Sequence, residues 1–218
     1  VSLYADAYKL TQNSLYKEVI EKTLQFISRE LINNENGFYC ALDADSLDDK
    51  GHLEEGAFYV WNKTDLEKII TEDFELFSQV FNINEFGYWE NSNYVLIQNQ
   101  ELEIIAKRND LKLSELQIKK RNWEKLLFTE REERSKPRLD DKSLTSWNAI
   151  MLKGYIDAYK ALGNENYLEI ALKNAHFIIE KLWTPEGNLL HNYKNGTSTI
   201  NGYLEDYCFV IDAFISLY

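Results

Sequence analysis

Apolar residues recur along most of the chain at the spacing of an α-helix. The segment from Leu144 to Tyr155 is typical, because its large apolar residues return every three or four positions and so line one face of a helix. Pro137 separates this segment from a long amphipathic stretch that precedes it. The pattern predicts a mainly helical protein.

The helical pattern also repeats. Residues 4–31 align without gaps with residues 155–182, and each copy is typical of a helix, a short polar turn and a second helix. A third copy of the first helix begins at Tyr203. Helical hairpins cannot bury their apolar faces alone, so they stack, and the wide spacing of the copies favours a closed ring over a regular solenoid. The identical pairs are Tyr4/Tyr155, Asp6/Asp157, Ala7/Ala158, Tyr8/Tyr159, Lys9/Lys160, Asn13/Asn164, Tyr16/Tyr167, Glu18/Glu169, Lys22/Lys173, Phe26/Phe177, Ile27/Ile178 and Leu31/Leu182.

Shorter β-rich runs lie between the two copies. Residues 37–46 and 55–62 flank an acidic, glycine-bearing loop and predict one β-hairpin, while residues 93–98 predict a further strand. Capping-box patterns that start at Thr64 and at Ser114 predict two helices, the second of which ends near Pro137.

The charge balance excludes one class of partner. The chain carries 36 acidic against 24 basic residues, a net charge of −12, and its most basic stretch is interrupted by glutamates, so we expect no nucleic-acid partner. No apolar run is long enough to span a membrane. The only cysteines, Cys40 and Cys208, have no CxxC partner, which favours a reducing and therefore cytoplasmic setting.

The densest group of chemically useful side chains opens the helix that follows Pro137. Asp140 and Asp141 stand beside Lys142, and Trp147 and Asn148 follow within two helical turns. A carboxylate at a helix N-terminus accepts bonds from free N–H groups. Helix capping therefore accounts for one aspartate, but it leaves the remaining residues of the group unexplained.

Other acidic groups lie in two further places. Asp43 and Asp45 open a loop whose spacing resembles a calcium-binding EF-hand, but Asp48 stands where that turn requires glycine, so we expect no bound metal. Glu205 and Asp206 begin the last predicted helix. The three histidines lack ligand spacing, and no phosphate-binding glycine loop or other cofactor motif is present, so we expect no cofactor.

Three motifs resemble one known family. The sequences "GFYCALDADS…EEGAFYVW", "PRLDDKSLTSWNAIMLKGYIDAY" and "GYLEDYCFVIDA" are similar, in this order, to the family of large thioredoxin-domain-containing proteins that includes spermatogenesis-associated protein 20. The resemblance implies an incomplete (α/α)6 toroid of helical hairpins with short β-hairpin insertions, similar to N-acylglucosamine 2-epimerases and six-hairpin glycosidases. It implies that residues 1–218 are part of one toroid domain, with the thioredoxin-like domain upstream of them.

The resemblance also implies a carbohydrate-active or carbohydrate-binding toroid, similar to a glycosidase or a sugar epimerase if it is an enzyme. Loops at one end of such a ring converge, and general acid/base chemistry on a sugar needs two carboxyl groups in different environments. Asp141 and Asp206 are then the acid/base candidates, with Asp45 and Asp140 in support. The candidate substrate-binding side chains are Asp43, Tyr59, Trp61, Lys142, Trp147, Asn148, Glu205 and Tyr207.

A non-catalytic scaffold is the alternative that stays open. In that case the acidic motifs cap helices, and the toroid presents the thioredoxin-like domain to protein partners. Besides a saccharide ligand, we expect self-association through the apolar edges of the incomplete ring.

Overall fold

The computed structural model describes residues 1–218 and divides into two compact units. The first consists of residues 1–42 and 139–218, and the second of residues 43–138. The helices are α1 (Ser2–Thr11), α2 (Ser14–Glu30), α3 (Lys63–Ile69), α4 (Phe74–Phe81), α5 (Leu102–Arg108), α6 (Leu113–Glu132), α7 (Thr145–Leu162), α8 (Glu165–Lys181) and α9 (Leu204–Leu217). The strands are β1 (Ala41–Leu42), β2 (Asp45–Leu47), β3 (Leu53–Glu55), β4 (Trp61–Asn62), β5 (Asn93–Tyr94), β6 (Leu139–Asp140), β7 (Ser143–Leu144) and β8 (Asn192–Tyr193).

The repeat corresponds to two helical hairpins of the first unit, α1–α2 and α7–α8. Both second helices begin at the same repeat position, where the side chains of Asn13 and Asn164 accept hydrogen bonds from backbone N–H groups two residues later, at 2.9 and 3.1 Å. The first helices also end alike, since Gln12 and Gly163 both adopt the left-handed conformation, with φ of 55° and 66°. The hairpins predicted from the repeat are therefore confirmed.

Helix α7 is the central element of the first unit, because α1, α8 and α9 all pack against it. Its Tyr155 is fully buried, stacks on Phe38, and shares a 2.8 Å hydrogen bond with the hydroxyl of Ser28. A buried tyrosine hydroxyl requires such a partner, which here links α7 to α2.

The second unit has a separate core made by α3 to α6. Phe77 of α4 is fully buried and packs edge-to-face on Trp123 of α6, with ring centroids 5.6 Å apart. Leu66, Ile105 and Leu116 complete this core from the other helices. The apolar stripes of the four helices thus meet in one cluster.

The strands are short and pair in four separate antiparallel pairs. The hairpin expected from residues 37–46 and 55–62 is confirmed only next to the acidic loop, where β2 pairs with β3 and Asp45 of the first run faces Glu55 of the second. The outer parts of the two runs pair elsewhere, since β1 pairs with β6 and β4 pairs with β5. The segment before β4 forms turns instead of a strand.

Helix boundaries differ from the capping-box predictions by one or two residues. Helix α3 starts at Lys63, because Asn62 caps it by accepting a 2.9 Å bond from the N–H of Asp65. Helix α6 starts at Leu113, where the Glu115 carboxylate accepts from the backbone N–H of Lys112. It ends at Glu132, before the expected end near Pro137.

The mainly α fold class, with helical hairpins and short β pairs, is confirmed. No helix has the length and apolar character needed to cross a membrane. That all residues form one toroid domain stays a prediction.

Arg134 holds the turns before β4 in place. One of its terminal nitrogens donates to the carbonyl oxygens of Ala57, Phe58 and Val60, and its guanidinium lies 3.8 Å from the centroid of the Trp61 ring. A planar guanidinium can stack and donate at once, whereas an ammonium group cannot.

We therefore expect Arg134→Lys to lower the free energy of unfolding by about 1.5–3 kcal/mol, the range of hydrogen bonds to charged groups. The control is Arg138→Lys, at a largely exposed arginine with a single 3.3 Å contact to Asp43. Urea denaturation of both variants measures the difference, and equal midpoints would contradict the assigned role.

Candidate functional site

The clearest candidate site begins at the N-terminus of α9, where Asp206 is fully buried. One carboxylate oxygen accepts from the backbone N–H of Ser146 at 2.9 Å, and the other accepts from the N–H of Tyr203 at 2.8 Å. The side chain thus satisfies free N–H groups at the starts of both α7 and α9. Because it is fully buried, Asp206 is inaccessible to a ligand and can act only through the residues that it contacts.

His191 completes the site. Its Nδ1 lies 2.9 Å from Oδ2 of Asp206, and 17% of its side chain remains exposed. The ring also packs against Tyr203, with centroids 4.5 Å apart. Its backbone is fixed by β-type bonds, since His191 N–H donates to Ile200 and its carbonyl accepts from Thr145. The imidazole is therefore held on both its backbone and its side chain.

This pair has the geometry of an oriented acid–base group. When Asp206 accepts the proton on Nδ1, the lone pair of Nε2 is the one that the ring offers to a ligand, and an imidazolium formed there is stabilised by the carboxylate. Glu205 offers a further ligand-type atom, and the three groups lie within 4.8 Å of one another. The Asp206 oxygens already accept three hydrogen bonds, so we interpret the group as a hydrogen-bonded pair rather than a metal centre.

A second feature of the same unit is a polar cavity of about 230 Å³. Asp141 enters it and pairs with Lys194 at 2.5 Å, an interaction that lowers the pKa of the carboxyl and raises that of the lysine. On another wall Glu35 accepts from Lys181 at 2.7 Å and from the hydroxyl of Tyr193, and both donors lower its pKa. The remaining lining residues are Asn33, Asn34, Tyr39, Asn195 and Gly196.

Other residues of the "LDDKSLTSWN" motif are divided between surface and interior. Asp140 pairs with Lys142 at 3.1 Å on the surface, and Trp147 is half exposed on α7. Asn148 is fully buried, accepts from the N–H of Phe38 at 2.7 Å, and donates to the carbonyls of Phe38 and Leu144. Its side chain is committed to the protein interior.

The other predicted residues lie at the start of α9 and in the second unit. Glu205 is exposed, and Tyr207 accepts a 3.0 Å bond from the N–H of Leu189. In the second unit Asp43 accepts from the N–H of Asp45, both in the acidic loop, at 3.4 Å. Tyr59 of that unit packs edge-to-face on Phe58, and Trp61 is buried under Arg134 at the wall of a cavity of about 550 Å³.

The structure thus brings Asp206 together with Glu205, and Asp140 with Lys142. It does not gather all the candidates in one site, because some lie in the first unit and others in the second. Sequence reasoning missed His191, Glu35, Lys181, Tyr193 and Lys194. Asp206 lies three residues after the N-cap residue Tyr203, and this capping pattern predicts a carboxylate that accepts from the N-cap N–H. No local pattern links Asp206 to His191, because β8 brings them together.

Comparisons with known proteins confirm the resemblance that the three motifs suggested. The chain is 29% identical to human spermatogenesis-associated protein 20 and 28% identical to its mouse counterpart, in each case over 99% of the chain. It is also 27% identical over its whole length to an uncharacterized protein of Caenorhabditis elegans. The chain spans 31% of the length of the two mammalian proteins and 34% of the nematode one. No family model matches the chain.

Two solved structures show a distant likeness. One is a cellobiose 2-epimerase from Bacillus thermoamylovorans, with a TM-score of 0.35 and 12% identity over 94% of this chain and 51% of that one. The other is a sugar epimerase from a ruminal bacterium, with a TM-score of 0.31 and 12% identity over 98% of this chain and 51% of that one.

We expect Asn148→Ala to lower the free energy of unfolding by about 2–3 kcal/mol, because it leaves several buried backbone groups without partners. The matched control is Asn166→Ala, at an exposed position of α8. Thermal denaturation of the two variants gives the comparison. If Asn148→Ala and the wild type have the same melting temperature, the hydrogen bonds of Asn148 do not stabilise the fold.

The Glu35 network predicts a pH dependence of stability. Because Lys181 and Tyr193 lower the pKa of Glu35 from its ordinary 4.5, its contribution is fully present above that value and is lost as the pH falls through the lower folded pKa. Glu35→Gln removes the contribution, so the urea midpoints of wild type and variant should differ at pH 7 and converge toward pH 3. Glu186→Gln, at an exposed glutamate, should show no difference at either pH.

Proposed function

We propose that this chain is part of a carbohydrate-acting domain in which His191 transfers a proton to or from a sugar while Asp206 positions its ring. The observation that carries the proposal is the 2.9 Å hydrogen bond that a fully buried carboxylate accepts from a partly exposed imidazole. General acid–base catalysis requires a group with a pKa near neutrality, held in one orientation and open to a ligand.

The arrangement favours proton abstraction over hydrolysis by two carboxylates. Glycoside hydrolysis of that kind needs both carboxyl groups at the scissile bond. Asp206 is fully buried, and Asp141 is paired with Lys194. An imidazole can instead take a proton from the carbon next to a sugar carbonyl, with Nε2 as acceptor. Return of that proton by the ring to the neighbouring carbon gives isomerisation, and delivery of a proton by water to the opposite face of the same carbon gives epimerisation. The reaction class is then epimerisation or isomerisation.

The polar cavity supports a hydroxyl-rich ligand. Its walls offer carboxylates, amides and tyrosine hydroxyls, which together donate and accept hydrogen bonds as a sugar requires. Tyr193 and Lys194 of the cavity follow His191 by two and three residues, so one segment contributes to both features. Asp141, which the sequence motifs suggested, belongs in this proposal to ligand binding.

A non-catalytic scaffold is the second candidate. It is favoured by the fact that Asp206 and Asn148, two residues of the motifs, bond to backbone groups inside the first unit. Asp206 accepts from the N–H groups of Ser146 and Tyr203, and Asn148 bonds to both backbone groups of Phe38. On this view the motifs preserve the fold, and the domain acts by binding a protein partner.

Proton exchange into sugars tests the two candidates. We would incubate the chain in D2O with a panel of reducing mono- and disaccharides and follow deuterium at the carbon next to the carbonyl by NMR. We expect exchange with at least one sugar. It should fall by about 10²–10⁴-fold in His191→Asn, the usual contribution of general acid–base catalysis, and should also fall in Asp206→Asn, where the ring loses the carboxylate that orients it. His176→Asn makes the same change at an exposed histidine of α8 and should leave exchange intact.

The melting temperatures of the same variants complete the test. Exchange that is lost in His191→Asn at unchanged melting temperature supports catalysis by the imidazole. Absence of exchange with every sugar, together with a lower melting temperature for Asp206→Asn, would leave the scaffold as the function that fits.

A further inference from the structure

A short loop of the second unit exposes three aromatic rings. We refer to residues 84–94 as the aromatic loop. Within it Phe86, Tyr88 and Trp89 keep 59%, 51% and 47% of their surface exposed. Single exposed aromatic residues are common, but three within four positions form a patch that contributes nothing to the core and calls for a ligand or partner.

The loop is held in one conformation by its own hydrogen bonds. Trp89 N–H donates to the carbonyl of Asn93 at 2.8 Å, and Val95 N–H donates to that of Gly87 at 2.9 Å. The ring of Tyr88 packs edge-to-face on Tyr94, with centroids 5.9 Å apart. The backbone that carries the exposed rings is therefore held in one conformation, and the ring of Tyr88 has a packing partner, so a ligand would have less of the loop to order.

The base of the loop is equally constrained. The buried Asn82 donates to the carbonyl of Ile97 and to the side chain of Asn99, which ties both ends of the segment together. Gly87 packs so closely on the carbonyl of Asn82 that a Cβ atom there would collide with it. Only glycine fits this position, which sets the direction in which the neighbouring rings project.

The side chains around the rings define the chemistry of a ligand. Asn84, Glu85, Glu90, Asn91 and Ser92 are all exposed, and no lysine or arginine occurs between residues 82 and 100. The loop itself therefore contributes no cation that would bind phosphate or another anion. Aromatic faces beside amides and carboxylates suit instead a molecule with apolar C–H faces and many hydroxyl groups.

We propose that the aromatic loop is a binding site for an oligosaccharide, with Phe86, Tyr88 and Trp89 as stacking faces and the neighbouring amides and carboxylates as partners of its hydroxyl groups. The site lies in the second unit and uses no residue of the His191 site. It therefore goes beyond the proposed function and does not depend on it. A protein partner is the competing occupant that the experiment must exclude.

Native gel electrophoresis through soluble polysaccharides tests the proposal, and the net charge of −12 ensures migration. The gels would contain hydroxyethyl cellulose, xylan, mannan, glycol chitin or soluble starch. We expect at least one to retard the chain, with binding weakened about tenfold in Trp89→Ala and in Tyr88→Ala, as stacking energies of this size imply. Ile118→Ala, at a similarly exposed residue of the same unit, should be retarded as the wild type is.

Three results would overturn the proposal. One is no retardation by any of the five polysaccharides, and another is retardation that persists in a Phe86→Ala/Trp89→Ala double variant. Retardation lost in His191→Asn but kept in Trp89→Ala would assign sugar binding to the first unit. Gel filtration run in parallel shows whether Trp89→Ala abolishes self-association instead, which together with unretarded migration would identify the loop as a protein contact.

Discussion

The first unit depends on one buried carboxyl group. Asp206 accepts hydrogen bonds from the backbone at the starts of two helices and from the ring of His191. Since the carboxyl is fully buried, an oxygen that lost its donor would find no water to replace it. The relative positions of α7, α9 and the β8 segment are therefore tied to one side chain, and the orientation of the imidazole follows from the same bonds that stabilise the fold.

The start of α7 shows why a buried segment is so polar. Thr145 N–H bonds to the carbonyl of His191, Ser146 N–H to Asp206, and the Asn148 amide to the backbone of Phe38. Asn174 of α8 donates a further 3.0 Å bond to Asn148. Four contacts from little more than one helical turn thus join α7 to four other segments. An apolar side chain in place of Asn148 would fill the space but would leave the backbone groups of Phe38 without partners.

The sequence predicted what depends on local periodicity and missed what depends on distant pairing. The repeat identified the hairpins, because Asn13 and Asn164 cap equivalent helices through contacts two residues away. The expected β-hairpin forms only at β2 and β3, because a two-residue strand such as β1 carries too little pattern to specify a partner, and β1 pairs with β6 almost a hundred positions later. His191 was missed for the same reason, whereas Asp206 was found because its role at a helix start is local. The network of Glu35, Lys181 and Tyr193 likewise joins three distant segments.

The accessibility of the candidate groups limits the chemistry that the first unit can perform. Asp206 cannot contact a ligand without unfolding the start of α9, and the pKa of Asp141 is lowered by Lys194, which keeps that carboxyl from acting as an acid near neutrality. His191 combines partial exposure with a fixed orientation, so a proton-transfer role requires no rearrangement of the helices. If the same carboxyl both holds the helices and orients the base, a substitution of Asp206 affects stability and proton transfer together. Only a substitution of His191, which is bonded to Asp206 but does not cap a helix, can separate the effect on proton transfer from the effect on stability.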